Sequence, residues 1–169
     1  VLMCGARPVF CDIDPETGNM DPTALQAKVS ARTRAIIPVH WGGAPCNLAA
    51  LGSIAQAAGA VLIEDAAHAL GARYQGRAIG SISPLTAFSF QSIKHLTTGD
   101  GGAICCLDPE TERRARSLRW FGIDRNVSRP SFLGARDYDL GELGFKYHMN
   151  NIAAALGLGN LDQFPHQLS

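Results

Sequence analysis

No C-x-x-C pair occurs in this 169-residue chain, and its five cysteines (Cys4, Cys11, Cys46, Cys105 and Cys106) sit mostly inside apolar stretches. Reduced, buried thiols are the better reading than a disulfide framework. The five histidines show no H-x-x-x-H or Cys/His ligand spacing, which leaves a zinc site without support. Neither charge is in surplus, with 15 basic and 15 acidic residues, so nothing electrostatic favours nucleic acid or an anionic membrane as partner. A small metabolite fits better. No apolar run approaches the roughly 20 residues of a membrane helix, and the chain reads as soluble and cytoplasmic. It begins at Val1 rather than methionine, so its start says nothing of a targeting signal.

The remaining pattern is alternation of strand and helix. VLMCG, residues 1–5, reads as the last turn of a helix with Gly5 as its cap, and PVFCDID, residues 8–14, as a strand. A helix follows from Asp21, with Asp as N-cap and Pro22 at its first position. AIIPVH, residues 35–40, is a second apolar run, followed by the turn WGGAPC and a helix capped by Asn47 with Leu48, Leu51, Ile54 and Ala58 on one face. AVLIEDA then has the continuous apolar character of a strand buried on both faces. LTAFSF, residues 85–90, and GAICCL, residues 102–107, are two more strands, joined by a loop too short for a crossover helix. That pair is expected to be antiparallel on an otherwise parallel sheet. The expected fold class is therefore α/β, a mostly parallel sheet with flanking helices and one antiparallel strand.

A helix from Asp108 carries an arginine-rich outer face, read as solvated rather than as a binding patch. Residues 123–143 hold no sustained period, and a loop of that length suggests a lid or a subunit contact. An alanine-rich helix from Asn150 ends the pattern before Pro165.

Chemistry concentrates between Val61 and Gly102. Alternation along VLIEDA puts Glu64 and Asp65 on opposite sides of the strand, so only one of them looks into a crevice at the strand's end; Asp65 is the choice. A carboxylate there would keep the pyridine nitrogen of pyridoxal phosphate protonated. His68 would meet the same ring near its phenolic oxygen. Lys94, in the following inter-strand loop, would form a Schiff base and carry protons, and Ser89 would donate to the cofactor phosphate. TTGDGG, residues 97–102, permits close backbone approach, but no G-x-G-x-x-G or Walker lysine is present. Each residue has a plain alternative role. Asp65 would serve as a helix cap, His68 as a core residue, Lys94 as a surface charge and Ser89 as a strand-end cap.

Taken together, VHWGG (39–43), EDAAHALGARYQGRAIGS (64–81), FSFQSIKHLTTGDGG (88–102) and GFKYHMNNIAAALGL (144–158) closely resemble the DegT/StrS family. These are pyridoxal-phosphate-dependent nucleotide-sugar aminotransferases of the fold-type I superfamily. The resemblance implies that Asp65 partners the pyridine nitrogen, His68 lies near the ring oxygen, Ser89 contacts phosphate and Lys94 forms the internal aldimine. It implies further that Lys146 and Asn150 reach the cofactor site of the other subunit of a homodimer, although many members carry asparagine where this chain has Lys146. Members are more than twice as long, which implies that residues 1–169 are a central part of the cofactor-binding large domain, without its N-terminal segment or the C-terminal small domain. A strand between PVFCDID and AIIPVH would then be missing from the sheet.

The function implied is amination of a keto group on a nucleotide-linked deoxysugar, with glutamate or glutamine as amino donor. The rivals are a sugar dehydratase of the same fold, in which histidine replaces the lysine and beside which His95 is suggestive, and a non-catalytic regulator that keeps the fold. A plain nucleotide-binding domain is disfavoured by the missing glycine fingerprint.

Overall fold

In the computed structural model, which describes residues 1–127, 129–138 and 140–168, a four-stranded mixed sheet forms the centre. The chain opens on a 3-10 turn, Leu2–Cys4, closed by Gly5 in the left-handed region. Helix α1 (Pro22–Lys28) starts where the carboxylate of Asp21 accepts from the Thr23 amide, with proline at the position where a missing N–H costs nothing. Strand β1 (Ala35–Ile36) is short, and helix α2 (Leu48–Ala57) follows with the Asn47 side chain accepting from Ala50.

Strand β2 (Val61–Asp65) leads to a small hairpin of β3 (Arg73–Tyr74) and β4 (Arg77–Ala78). Its two turn residues, Gln75 and Gly76, both have positive φ, which matches the twist of a tight hairpin. Strands β5 (Leu85–Ser89) and β6 (Gly102–Cys106) and helix α3 (Pro109–Leu118) come next. A two-residue ribbon of β7 (Arg129–Pro130) and β8 (Arg136–Asp137) precedes helices α4 (Asn151–Leu161) and α5 (Phe164–Gln167).

The main sheet runs β1-β2-β5-β6. β1, β2 and β5 are mutually parallel, with Ile36 opposite Leu62 and Asp65 opposite Ala87. β6 is antiparallel to β5, with Ser89 opposite Gly102. The α/β class and the single antiparallel strand are as the sequence implied.

Helices α1 and α2 cover one face. Leu25, Leu48, Leu51 and Ala55 meet Ile36, Leu62, Ala66 and Phe88 in one buried cluster. Removing the leucine, isoleucine and phenylalanine side chains from water supplies roughly 1.5–3 kcal/mol each. On the opposite face Ile37, Val39 and Ile104 stand exposed.

Three expectations are corrected. PVFCDID forms no strand: its one ladder contact is an isolated antiparallel bridge between Ile13 and Met20, and Val9 and Phe10 are exposed. Strand propensity cannot act where no neighbouring strand takes up the backbone groups. AIIPVH yields a strand of only two residues, because Pro38 has no N–H for the ladder, though Val39 bridges again to Asp65. β2 is buried on one face only, with burial alternating along it from an exposed Val61.

The arginine face of α3 behaves as a solvated one. Arg113 pairs with Glu110, Arg114 grips Glu142 through two nitrogens, and Arg116 pairs with Glu112, all with exposed guanidinium groups. The Arg114–Glu142 pair ties α3 to the end of the 123–143 segment. Among the described residues, no helix is long and apolar enough to cross a membrane, and no His/Cys/Asp/Glu group is placed to hold a metal.

Candidate functional site

Asp65 ends β2 on the uncovered face of the sheet. Its backbone is held from the β1 side: Asp65 N donates to Pro38 O at 2.9 Å, and His40 N donates to Asp65 O at 3.0 Å. One carboxylate oxygen accepts from the Ala67 amide at 3.1 Å, the local cap that Asp in this place would make in any event. The other oxygen meets no donor among the described residues.

Ser89 lies on the same face as Asp65, two residues beyond the register partner Ala87. Its hydroxyl oxygen accepts from Gln91 N at 3.3 Å, again the local capping role, and leaves the hydroxyl proton free to donate. Asp65 and Ser89 share a shallow cleft of about 210 Å³ with Ile37, Ile63, Ala67 and Ala87.

A turn carries the chain from Asp65 to His68. Here Ala66 N donates to Ala87 O and Ala69 N to Ala66 O. The His68 Nδ1 atom is buried without a hydrogen-bond partner, and its ring lies 5.7 Å from that of Trp41. Gly43 holds the backbone here. Its φ is +88°, and a Cβ at that position would stand 2.9 Å from the His68 carbonyl oxygen.

His68 and Lys94 line a second cleft, of about 200 Å³, together with Gly42, Ile93 and His95. Lys94 is half-buried, and its Nζ meets neither a hydrogen-bond acceptor nor a carboxylate among the described residues. Each cleft falls below the roughly 300 Å³ floor of an enclosed small-molecule site.

The loop that bears Lys94 is braced from behind. Phe90 N donates to Gly101 O, and Thr98 N donates to Phe90 O. Helix α4 closes over this turn: Asn160 Nδ2 donates to Thr97 O at 3.1 Å, and a Cβ at Gly157 would come within 2.7 Å of the Thr98 methyl. Small residues in α4 therefore allow its backbone to approach the loop.

Lys146 and Asn150 are not brought to either cleft of their own chain. Lys146 is exposed and bridges Trp120, and Asn150 is the N-cap of α4, accepting from Ala153 N at 2.9 Å. The sequence-predicted residues thus fall into three places. Asp65 with Ser89 and His68 with Lys94 are adjacent pairs joined by short turns, and Lys146 with Asn150 stand apart.

One buried cluster escaped sequence reasoning. His40 and Glu64, both fully buried, meet at 2.7 Å between Nε2 and Oε2. Glu64 Oε1 also accepts from Ser83 N at 3.1 Å, and His40 Nδ1 accepts from Cys46 N at 3.1 Å. A backbone N–H can only donate, so Nδ1 is unprotonated and Nε2 carries the ring proton toward the carboxylate. Burial alone would push the Glu64 carboxyl up, but the His40 and Ser83 hydrogen bonds outweigh it and hold the group below its usual range. Burial pushes the neighbouring Cys46 thiol up to about 11, and it donates to Val39 O instead. A signal was present: a carboxylate forced to the core side of β2 needs a partner, and His40 closes the adjacent apolar run.

Comparison with known proteins places the chain in a family. The model of the DegT/DnrJ/EryC1/StrS aminotransferase family matches residues 1–169. GDP-perosamine synthase of Caulobacter vibrioides is 40% identical over 169 residues, which is 100% of this chain and 43% of that protein. The sugar aminotransferase CalS13 from Micromonospora echinospora superposes with a TM-score of 0.90 at 37% identity, over 98% of this chain and 45% of that one. Spr1654 from Streptococcus pneumoniae, solved in a PLP form, superposes with a TM-score of 0.83 at 31% identity, over 98% of this chain and 45% of that one. The chain therefore spans less than half the length of these relatives.

Proposed function

Because the chain belongs to the DegT/DnrJ/EryC1/StrS aminotransferase family, we propose that it forms the central part of the cofactor-binding large domain of an aminotransferase. The substrate would be a nucleotide-linked deoxysugar bearing a keto group, the amino donor glutamate or glutamine, and the cofactor pyridoxal phosphate. The observation that carries the reading is the unpaired, half-buried Lys94 amine sharing a cleft with His68, one turn from Asp65. The naming of GDP-perosamine synthase among its relatives supports the substrate class, and the PLP form of Spr1654 supports the cofactor.

The donor set fits that cofactor. Among the described residues, Lys94 offers an amine with no ion pair to break, His68 an unsatisfied Nδ1, Asp65 one uncommitted oxygen, and Ser89 an unspent hydroxyl proton. When bound, pyridoxal phosphate supplies a carbonyl carbon that takes up amines and a ring that accepts electrons from the carbon next to the nitrogen. Asp65 would keep the ring nitrogen protonated, because an adjacent opposite charge favours the charged form. Ser89 would donate to the phosphate and His68 would steady the ring oxygen. Lys94 Nζ would hold the cofactor at rest, accept the proton from the donor's α-carbon and return it on the cofactor side, then run the reverse with the keto sugar.

The shallowness of both clefts supports further walls from elsewhere. Lys146 and Asn150, exposed and absent from the lining of both clefts of their own chain, would supply them across a homodimer. A sugar dehydratase of the same fold is the second reading, favoured by His95 lining the same cleft as Lys94. An amino-sugar product separates the two.

The test is to add pyridoxal phosphate to the protein, reduce with borohydride and map the modified residue. Label on Lys94 is expected; label on another lysine, or none, overturns the assignment.

A further inference from the structure

We infer that His40 and Glu64 are a positioning pair that sets Asp65 and the Trp41–Gly43 turn against the cofactor without touching it. The inference rests on the roles proposed above for Asp65 and His68. Both side chains are fully buried on the covered face of the sheet, opposite the face that Asp65 presents. A buried carboxylate hydrogen-bonded to an imidazole is a poor way to add stability, since hydrocarbon of the same volume would often do as well. What it supplies is placement.

The need for placement follows from the strand itself. β1 ends as a ladder at Ile36, and Pro38 has no N–H to give. Residues 38–40 nevertheless hold the end of β2, because Asp65 makes both of its backbone bonds to Pro38 and His40. The His40 ring secures this broken segment at two points. Nε2 is bonded to the side chain of Glu64, the residue before Asp65, and Nδ1 takes the amide of Cys46 at the far side of the turn. His40 thus grips residue 64 by its side chain and residue 65 by its backbone.

The same ring anchors the turn that follows. Trp41 lies against the His68 ring, Gly43 lies under the His68 carbonyl, and Gly42 lines the cleft with Lys94. A single imidazole therefore sets the height of the Asp65 carboxylate and one wall around His68. Both the ring-nitrogen contact and the ring-oxygen contact would move if it were lost.

The experiment compares the protein with His40→Leu and His40→Gln, and with Leu51→Ala as a control for stability. Leu51 is fully buried in α2 and belongs to neither cleft. Two quantities are read besides melting temperature: the dissociation constant for pyridoxal phosphate, and the pH midpoint of the bound cofactor's visible absorbance. His40→Leu leaves the buried Glu64 carboxylate and the Cys46 amide without their partner, and it is expected to weaken cofactor binding about tenfold and to move the midpoint. His40→Gln keeps a donor toward Glu64 but loses the acceptor for Cys46, so it recovers most of the loss and settles about threefold below the parent. Leu51→Ala lowers the melting temperature and leaves both cofactor readings alone. The proposal is overturned if the folded His40 variants behave like Leu51→Ala. Should His40→Leu fail to fold, parental values in His40→Gln overturn it by themselves. If the unaltered protein gives no visible band with pyridoxal phosphate, the functional reading falls first and takes this one with it.

Discussion

Replacing Glu64 by glutamine keeps the shape of the side chain and exchanges one acceptor oxygen for a donor NH₂. The carboxylate accepts at both oxygens, from His40 Nε2 at 2.7 Å and from Ser83 N at 3.1 Å. Glutamine can satisfy only one of these. With its oxygen toward Ser83, its NH₂ faces the His40 N–H; with its oxygen toward His40, its NH₂ faces the Ser83 N–H. Moving the ring proton to Nδ1 only transfers the conflict to the Cys46 amide, whose bond to that atom is 3.1 Å. One buried donor is left facing another donor in every arrangement.

The loss of a charge-assisted hydrogen bond is about 1.5–3 kcal/mol, partly offset by no longer burying a charge. A net destabilisation of about 2 kcal/mol is expected at pH 7, a large share of the roughly 5–15 kcal/mol of a typical domain. At this chain length that corresponds to a fall in melting temperature of about 4–8 °C. The pH dependence gives a second check. The folded-state pKa of Glu64 lies below its unfolded value of about 4.3, so its stabilisation is complete above that pH and is lost as pH falls through the folded value. Glutamine does not titrate, so the gap between the two proteins shrinks as pH falls below about 4. Thermal melts from pH 7 to about 3 read both effects. A variant as stable as the parent at pH 7, or a gap that stays constant down to pH 3, refutes the hydrogen-bond assignment.

Gly43→Ala puts a methyl 2.9 Å from the His68 carbonyl on a backbone with φ +88°, so His68 shifts, and pyridoxal phosphate binding, read by fluorescence titration, weakens about tenfold. Asn160→Ala removes the bond to Thr97 O and about 1 kcal/mol of local support, so the amides of residues 97–102 exchange hydrogen faster by about fivefold while those of β2 do not.

Much of the scaffold was legible because its causes are local. Asp21, Asn47 and Asp108 each cap the helix that follows, since a short polar side chain meets the first free amides wherever that helix goes. The antiparallel direction of β6 followed from the shortness of the loop before it. Alternation along β2 correctly separated Glu64 from Asp65. PVFCDID misled because its strand-like composition says nothing about whether a neighbouring strand is there to pair. Lys146 and Asn150 came from resemblance, and among the described residues they line neither cleft.

By itself the sequence determined local geometry and the chemical inventory: where helices begin, which way β6 must run, which face carries Asp65, and that an amine, a carboxylate, a hydroxyl and an imidazole lie within thirty residues of one another. Only the tertiary structure decided how far β1 extends, that α4 closes on the loop of Lys94, and that His40 is the partner of Glu64. The reason is physical. A cap or a turn is satisfied within a few residues, but a buried carboxylate, a strand edge and a loop's outer face are satisfied by groups that only folding brings near, and spacing along the chain does not encode which ones arrive.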